Sequence, residues 1–135
     1  MATALTLLRA NAPVGSVQDC YVLITPSGNY VNGGDGMNLA SLFGQVTAEG
    51  VSIMSDQLPV FAEIEGLAGG GAGGGYYEAQ LWNNPGNGQP ATPKTLATCL
   101  FRAFQANGTE YTSAAYNNSV ISDRIVMHLA FPTAV

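Results

Sequence analysis

Short apolar runs separated by clusters of turn residues recur along the whole chain. The runs are rich in Val, Ile, Leu, Tyr and Phe, and the clusters between them hold Gly, Asn, Pro and Ser. This pattern is typical of an all-β sandwich or barrel. The predicted strands are Thr3 to Arg9, Val17 to Thr25, Gly50 to Met54, Val60 to Glu65, Tyr76 to Trp82, Leu96 to Ala106 and Arg124 to Phe131. We therefore expect an antiparallel β-sandwich or jelly-roll-like barrel, and the 135 residues fit a single domain.

One short helix is predicted near residues 38–43, between the second and third strands. Asn38 can cap its first turn and Gly44 can end it. The residues between them present one apolar face, formed by Leu39, Leu42 and Phe43.

Alternation along each strand predicts which side chains are buried, because successive side chains point to opposite faces. The core face of the last strand holds Ile125, Met127, Leu129 and Phe131. The outer face of the strand from Tyr76 holds Tyr76, Glu78, Gln80 and Trp82. Exposed Tyr and Trp are enriched where proteins meet partners. Tyr76 and Trp82 are therefore interface candidates, unless a terminal loop covers them.

The stretch from Leu96 to Ala106 is apolar on both faces, so it predicts a central or interfacial strand. Leu100 and Phe104 flank Arg102 on one of these faces. An unpaired buried guanidinium is costly, so Arg102 needs a carboxylate partner.

The chain is unusually poor in charge. Charged residues make up 10% of it, against about 25% in typical soluble domains. This favours a surface that is covered by neighbours in an assembly. The net charge of −5, with four basic residues, argues against direct nucleic-acid binding. No apolar run reaches the roughly 20 residues of a membrane span, and without a signal-peptide pattern we expect a cytosolic product.

Catalytic and metal chemistry find little support in the sequence. His128 is the only histidine and is expected to be an ordinary outward strand residue. Cys20 and Cys99 lie in apolar runs and are interpreted as buried thiols, with a disulfide as the alternative. Glu63, Glu65 and Glu78 could share an outer face through a hairpin, as a solvated acidic surface or, alternatively, as a catalytic carboxylate pair. We predict a non-enzymatic protein without cofactor or metal.

The glycine tract before Tyr76 is predicted to be a contact loop. Its spacing formally satisfies a dinucleotide fingerprint, but a strand pattern follows it where that fingerprint requires a helix. The candidate contact residues of this loop are Gly69, Gly70, Gly71, Gly73, Gly74 and Gly75.

The segment from Tyr30 to Gly44 resembles a motif of small tailed-phage head proteins: an aromatic residue, two further residues, Gly-Gly, an acid and a short apolar helix ending in Gly. The order of the later strands is also similar to that of capsid cement or decoration proteins. The resemblance implies a β-rich protein that binds the outside of a phage capsid as an oligomer, with a trimer favoured and a dimer as the alternative. Its expected partner is the major capsid protein, and its expected place is the exterior of the virion after synthesis in the host cytoplasm.

In that interpretation the chain cements the junctions between capsomers against the pressure of the packaged DNA. The N-terminal segment from Thr3 to Arg9 is a candidate docking strand, with Thr3, Leu5 and Leu7 as contacts. The alternatives are a carbohydrate-binding jelly-roll module, with Trp82, Tyr76 and Glu78 as an aromatic platform, and a tail or fibre subunit.

Overall fold

The structure, a computed structural model, describes residues 3–67, 75–83 and 85–133. Two antiparallel sheets enclose the core. The larger sheet has the strand order β1-β2-β11-β5, and the smaller sheet has the order β4-β9-β6. The larger sheet consists of β1 (Ala4–Ala10), β2 (Val17–Thr25), β5 (Phe61–Gly66) and β11 (Ile125–Pro132), and the smaller of β4 (Asp35–Met37), β6 (Tyr76–Gln80) and β9 (Cys99–Phe104). The expected all-β, sandwich-like fold is confirmed.

Short elements connect the two sheets. Two ribbons pair β3 (Asn29–Tyr30) with β10 (Ala114–Ala115), and β7 (Trp82–Asn83) with β8 (Thr92–Pro93). The predicted helix is a 3-10 turn, Leu39–Leu42, whose cap Asn38 accepts a hydrogen bond from the Ala40 amide. A second 3-10 turn, Leu96–Thr98, and a one-turn helix α1, Asn118–Ile121, were not predicted.

The core lies between the facing sides of the two sheets. The four residues predicted to form the core face of the last strand are all fully buried: Ile125, Met127, Leu129 and Phe131. From the smaller sheet, Phe101 and Tyr77 stack with ring centroids 5.5 Å apart. Because β9 is the central strand of its sheet, it is buried on one face by the core and flanked on both edges, as its apolar sequence indicates.

The outer edge of β1 is closed by a side chain. The Gln45 amide donates to the Leu5 carbonyl at 3.1 Å and accepts from the Leu7 amide at 2.8 Å, as a neighbouring strand would. One residue pair further on, the Thr3 amide donates to the Gly36 carbonyl at 2.9 Å. The Gln45 bonds connect β1 to the segment after the 3-10 turn, and the Thr3 bond connects the residue before β1 to the middle of β4. Together they protect an edge that could otherwise pair with another chain.

Three strand predictions were wrong in part. Residues 50–54 do not form a strand. The Met54 backbone amide donates to the side chain of the buried Gln18, and Ser52 forms only an isolated β-bridge, with Val46. The stretch predicted as Leu96 to Ala106 begins with a 3-10 turn, so the strand is shorter. The expected hairpin between the fourth and fifth predicted strands does not form, since β5 pairs with β11 and β6 pairs with β9.

Cys20 and Cys99 are free, buried thiols, as the preferred interpretation had it. Burial raises the pKa of each thiol to about 11. Because the thiolate is the reactive form, we expect that neither thiol reacts with an aromatic disulfide reagent at pH 8 while the protein is folded, and that both react once it is unfolded in denaturant. Labelling of either cysteine in the folded protein, or the absence of free thiols in denaturant, would contradict this expectation. The same shift lowers stability as pH rises above about 9, because the unfolded thiols ionise first.

Candidate functional site

The two aromatic residues predicted as contacts are exposed but lie apart. Tyr76 is 44% exposed and stacks on Phe104 of the neighbouring strand, with centroids 4.9 Å apart. Trp82 is 55% exposed and lies on the β7–β8 ribbon, opposite Pro93. No ring contact joins the two within the described part of the chain. Glu78 is exposed one alternation from Tyr76, so the structure forms only part of the predicted sugar platform.

The predicted docking strand is an integral part of the larger sheet. Thr3, Leu5 and Leu7 are all buried, and Leu5 and Leu7 belong to the core cluster. Their side chains are therefore not surface contacts in the folded chain. An apolar strand at the edge of a sheet has the same alternating sequence whether it packs inward on its own core or docks elsewhere, so the sequence did not distinguish the two.

Most of the predicted glycine loop lies outside the described residues: Gly69, Gly70, Gly71, Gly73 and Gly74. Gly75 is described and leads into β6. A Cβ atom at this position would lie 2.3 Å from the Phe104 carbonyl oxygen. Gly75 is thus required here for a structural reason, because any side chain would clash with the backbone of β9.

The outer face of the larger sheet carries an aromatic centre that sequence reasoning missed. Tyr21, His128 and Glu63 form one cross-strand row. The Tyr21 and His128 rings stack at 4.8 Å, and the Phe61 ring meets His128 edge-on at 5.4 Å. Alternation in β2 would have placed Tyr21 on this face, and alternation in β5 places Phe61 on the same side as Glu63 and Glu65. We call this surface, with Leu23 and Val126, the outer face.

Charged groups surround this aromatic centre. His128 Nε2 lies 3.0 Å from Asp19 Oδ1, and Arg9 lies opposite Tyr21 on β1. Glu63 and Glu65 lie on the exposed side of β5. His128 lies on the outward side of its strand, as the sequence suggested, and it is also the middle of an aromatic row with an acidic neighbour at Asp19.

A cleft of about 310 Å³ opens on the outer face. Val126 and Leu67 supply apolar surface, Tyr21 and His128 supply aromatic surface, and Glu63 and Glu65 supply two carboxylates. Leu67 is 60% exposed, so the cleft is open to a partner. Apolar surface beside a few convergent polar groups is the usual character of a binding site.

The three predicted acidic residues divide between two sheets. Glu63 and Glu65 lie together on β5, whereas Glu78 lies on β6, opposite Arg102. Glu63 and Glu78 do line one groove of about 370 Å³ between the two strands. The prediction that all three share one face, which rested on a hairpin, was wrong because β5 pairs with β11, whose residues lie 59 to 69 positions further along the chain.

Arg102 has the carboxylate partner that the sequence required. Its Nη2 donates to Glu110 Oε1 at 2.7 Å. The other carboxylate oxygen of Glu110 accepts from the Tyr30 hydroxyl and the Gly33 amide, both at 2.6 Å. Burial alone would raise the pKa of Glu110, but these three hydrogen bonds outweigh it and lower the pKa below its ordinary value.

The motif that carried the family resemblance is a structural element. Tyr30 and Asp35 are buried, and Asp35 Oδ2 accepts a hydrogen bond from the Tyr116 hydroxyl. Gly34 has φ +128°, and a Cβ atom there would lie 2.8 Å from the Leu100 Cβ atom. The Gly-Gly-acid sequence therefore lets the chain cross closely over β9, and it offers no exposed group for a ligand.

Among residues 3–67, 75–83 and 85–133 there is no cluster of three or more His, Cys, Asp or Glu side chains that could hold a metal ion. Within the same residues, no helix is long and apolar enough to span a bilayer. Comparison with protein-family models, with curated proteins and with solved structures finds no match.

We expect Glu110→Gln to lower the free energy of unfolding by about 2 kcal/mol at pH 7, because it weakens charge-assisted hydrogen bonds to Arg102 and Gly33. A carboxylate with a lowered pKa stabilises the protein above its ordinary pKa, and this contribution is lost as pH falls through the lowered value. Urea unfolding should therefore show a difference between wild type and variant that shrinks below about pH 4. A constant difference down to pH 3 would contradict this origin, and Glu49→Gln, at an exposed site, is the control.

Proposed function

We propose that this chain is a non-enzymatic structural protein of a phage virion, which binds the outside of the capsid as an oligomer and cements the junctions between capsomers. The observation that carries the proposal is the outer face of the larger sheet. Tyr21, Phe61 and His128 form a contiguous aromatic centre there, and Phe61 is 44% exposed. Aromatic surface of this kind is typical of protein interfaces.

The distribution of charge also supports docking on another protein. Only four basic residues occur in the chain. Arg102 is held by Glu110, and the Lys94 ammonium donates to Asn83 at 3.0 Å. Such a surface does not suit a phosphate backbone, whereas it suits a protein shell.

The proposed mechanism is stabilisation by selective binding. A protein that binds the closed, expanded shell and not the disrupted one shifts the equilibrium towards the closed shell. Oligomerisation multiplies the contacts of each subunit, so that weak single contacts suffice. The partner in this proposal is the major capsid protein.

A carbohydrate-binding module is the second candidate, favoured by one observation. Trp82 is the only tryptophan, and it is exposed on the β7–β8 ribbon, which belongs to neither of the two main sheets. Its fluorescence is therefore a specific reporter. A saturable change in Trp82 emission on titration with oligosaccharides would favour this candidate over a cement protein.

The test of the main proposal is co-sedimentation of the purified chain with unexpanded and expanded capsid shells of the phage that encodes it. We expect saturable binding to the expanded shell, with a number of copies that matches its symmetry. Phe61→Glu should lower the bound number, because it places a charge in the aromatic centre, and Val46→Glu, at another exposed apolar site, should not. No binding to either shell would contradict the proposal.

A further inference from the structure

The cleft on the outer face has a definite chemical character. Glu63 and Glu65 have no cation or hydrogen-bond partner among the described residues. Their cross-strand neighbours on β11 are Val126, which supplies apolar surface, and His128, whose ring is stacked on that of Tyr21. Two unpaired carboxylates beside an aromatic ring and an aliphatic surface match the three parts of one side chain, that of arginine.

We propose that this cleft binds an arginine side chain presented by the protein on which the chain docks. The guanidinium lies between the carboxylates of Glu63 and Glu65 and stacks on the face of the His128 ring that Tyr21 does not cover. The methylene groups pack on Val126 and Leu67. A volume of about 310 Å³ accommodates one such side chain.

The chain itself does not supply this arginine. Arg102 is paired with Glu110, and Arg9 Nε donates to Asn11 at 3.0 Å. Neither Lys94 nor Arg124 is among the residues that line the cleft. These four are all the lysines and arginines in the sequence.

A second copy of the chain is a poor occupant. With a net charge of −5, two copies meeting through this face would bring their unpaired carboxylates together, and like charges across an interface are costly. The charge on the face therefore indicates a different protein as the partner. The assignment of that partner as the capsid protein rests on the proposed function, whereas binding of the side chain does not.

The test is an NMR titration with a blocked tripeptide, acetyl-Gly-Arg-Gly-amide. His128 is the only histidine and lines the cleft, so its imidazole proton signals report on this site alone. We expect saturable shifts of these signals and of the Glu63 and Glu65 amides. The citrulline peptide, which keeps the shape without the charge, should bind at least about 10-fold more weakly, and the lysine peptide should fall between the two.

Two variants distinguish specific binding of arginine at the cleft from non-specific attraction of a cationic peptide to an acidic protein. The double variant Glu63→Gln/Glu65→Gln should weaken binding of the arginine peptide at least about 10-fold, whereas Glu49→Gln should leave it unchanged. Equal binding of the citrulline peptide, equal binding of the lysine peptide, or equal loss in Glu49→Gln would overturn the inference. So would the absence of any shift at His128.

The same variants on capsid shells distinguish this inference from the proposed function. If wild type and the double variant bind expanded shells equally, the arginine contact is wrong while the proposed function stands. If the arginine peptide binds and the shells do not, the proposed function is wrong while the cleft remains an arginine site.

Discussion

Glu110 is the group on which the organisation of the smaller sheet depends. It pairs with Arg102 in the central strand, and it accepts hydrogen bonds from Tyr30 at the end of β3 and from Gly33 in the loop between β3 and β4. The Tyr30 hydroxyl in turn accepts from the Ala103 amide at 3.0 Å. One carboxylate thus joins three segments that are distant in sequence. Without it, the half-buried Arg102 guanidinium would lose its ion-pair partner at 2.7 Å, and Glu78 on the neighbouring strand would be the acidic residue left opposite it.

In the larger sheet, too, a few polar side chains satisfy backbone groups that have no strand partner. Gln45 takes the place of a neighbouring strand at β1, and the fully buried Gln18 connects the start of β2 to residues 52 and 54. These amides satisfy backbone groups that a small sandwich would otherwise leave open. The outward side chains of β2, β11 and β5 form an exposed surface of the larger sheet, away from its closed β1 edge. The aromatic row at His128 lies in the middle of that surface.

Sequence reasoning succeeded for features that depend on the pattern within one strand, such as its bounds and its buried face. Val17 to Thr25 has the predicted bounds, and the buried face of β11 follows from alternation alone. The need of Arg102 for a carboxylate followed from the cost of burying a charge, although nothing in the sequence identified Glu110. Sequence reasoning failed where strand pairing is non-local. The consecutive strands β5 and β6 have the sequence pattern of a hairpin, but β5 pairs with β11 and β6 pairs with β9. The outer face was missed for a related reason, since Tyr21, Phe61 and His128 become neighbours only when the three strands are in register.

We propose that the outer face of the larger sheet is the surface through which the protein docks. The most direct measurement is a cryo-electron microscopy reconstruction of expanded capsid shells saturated with the protein. We expect ordered density at symmetry-related capsomer junctions, with Tyr21, Phe61 and His128 against the shell. Ordered density in which that face points to solvent would contradict the docking surface, and the absence of any ordered density would contradict the account of this chain as a cement protein.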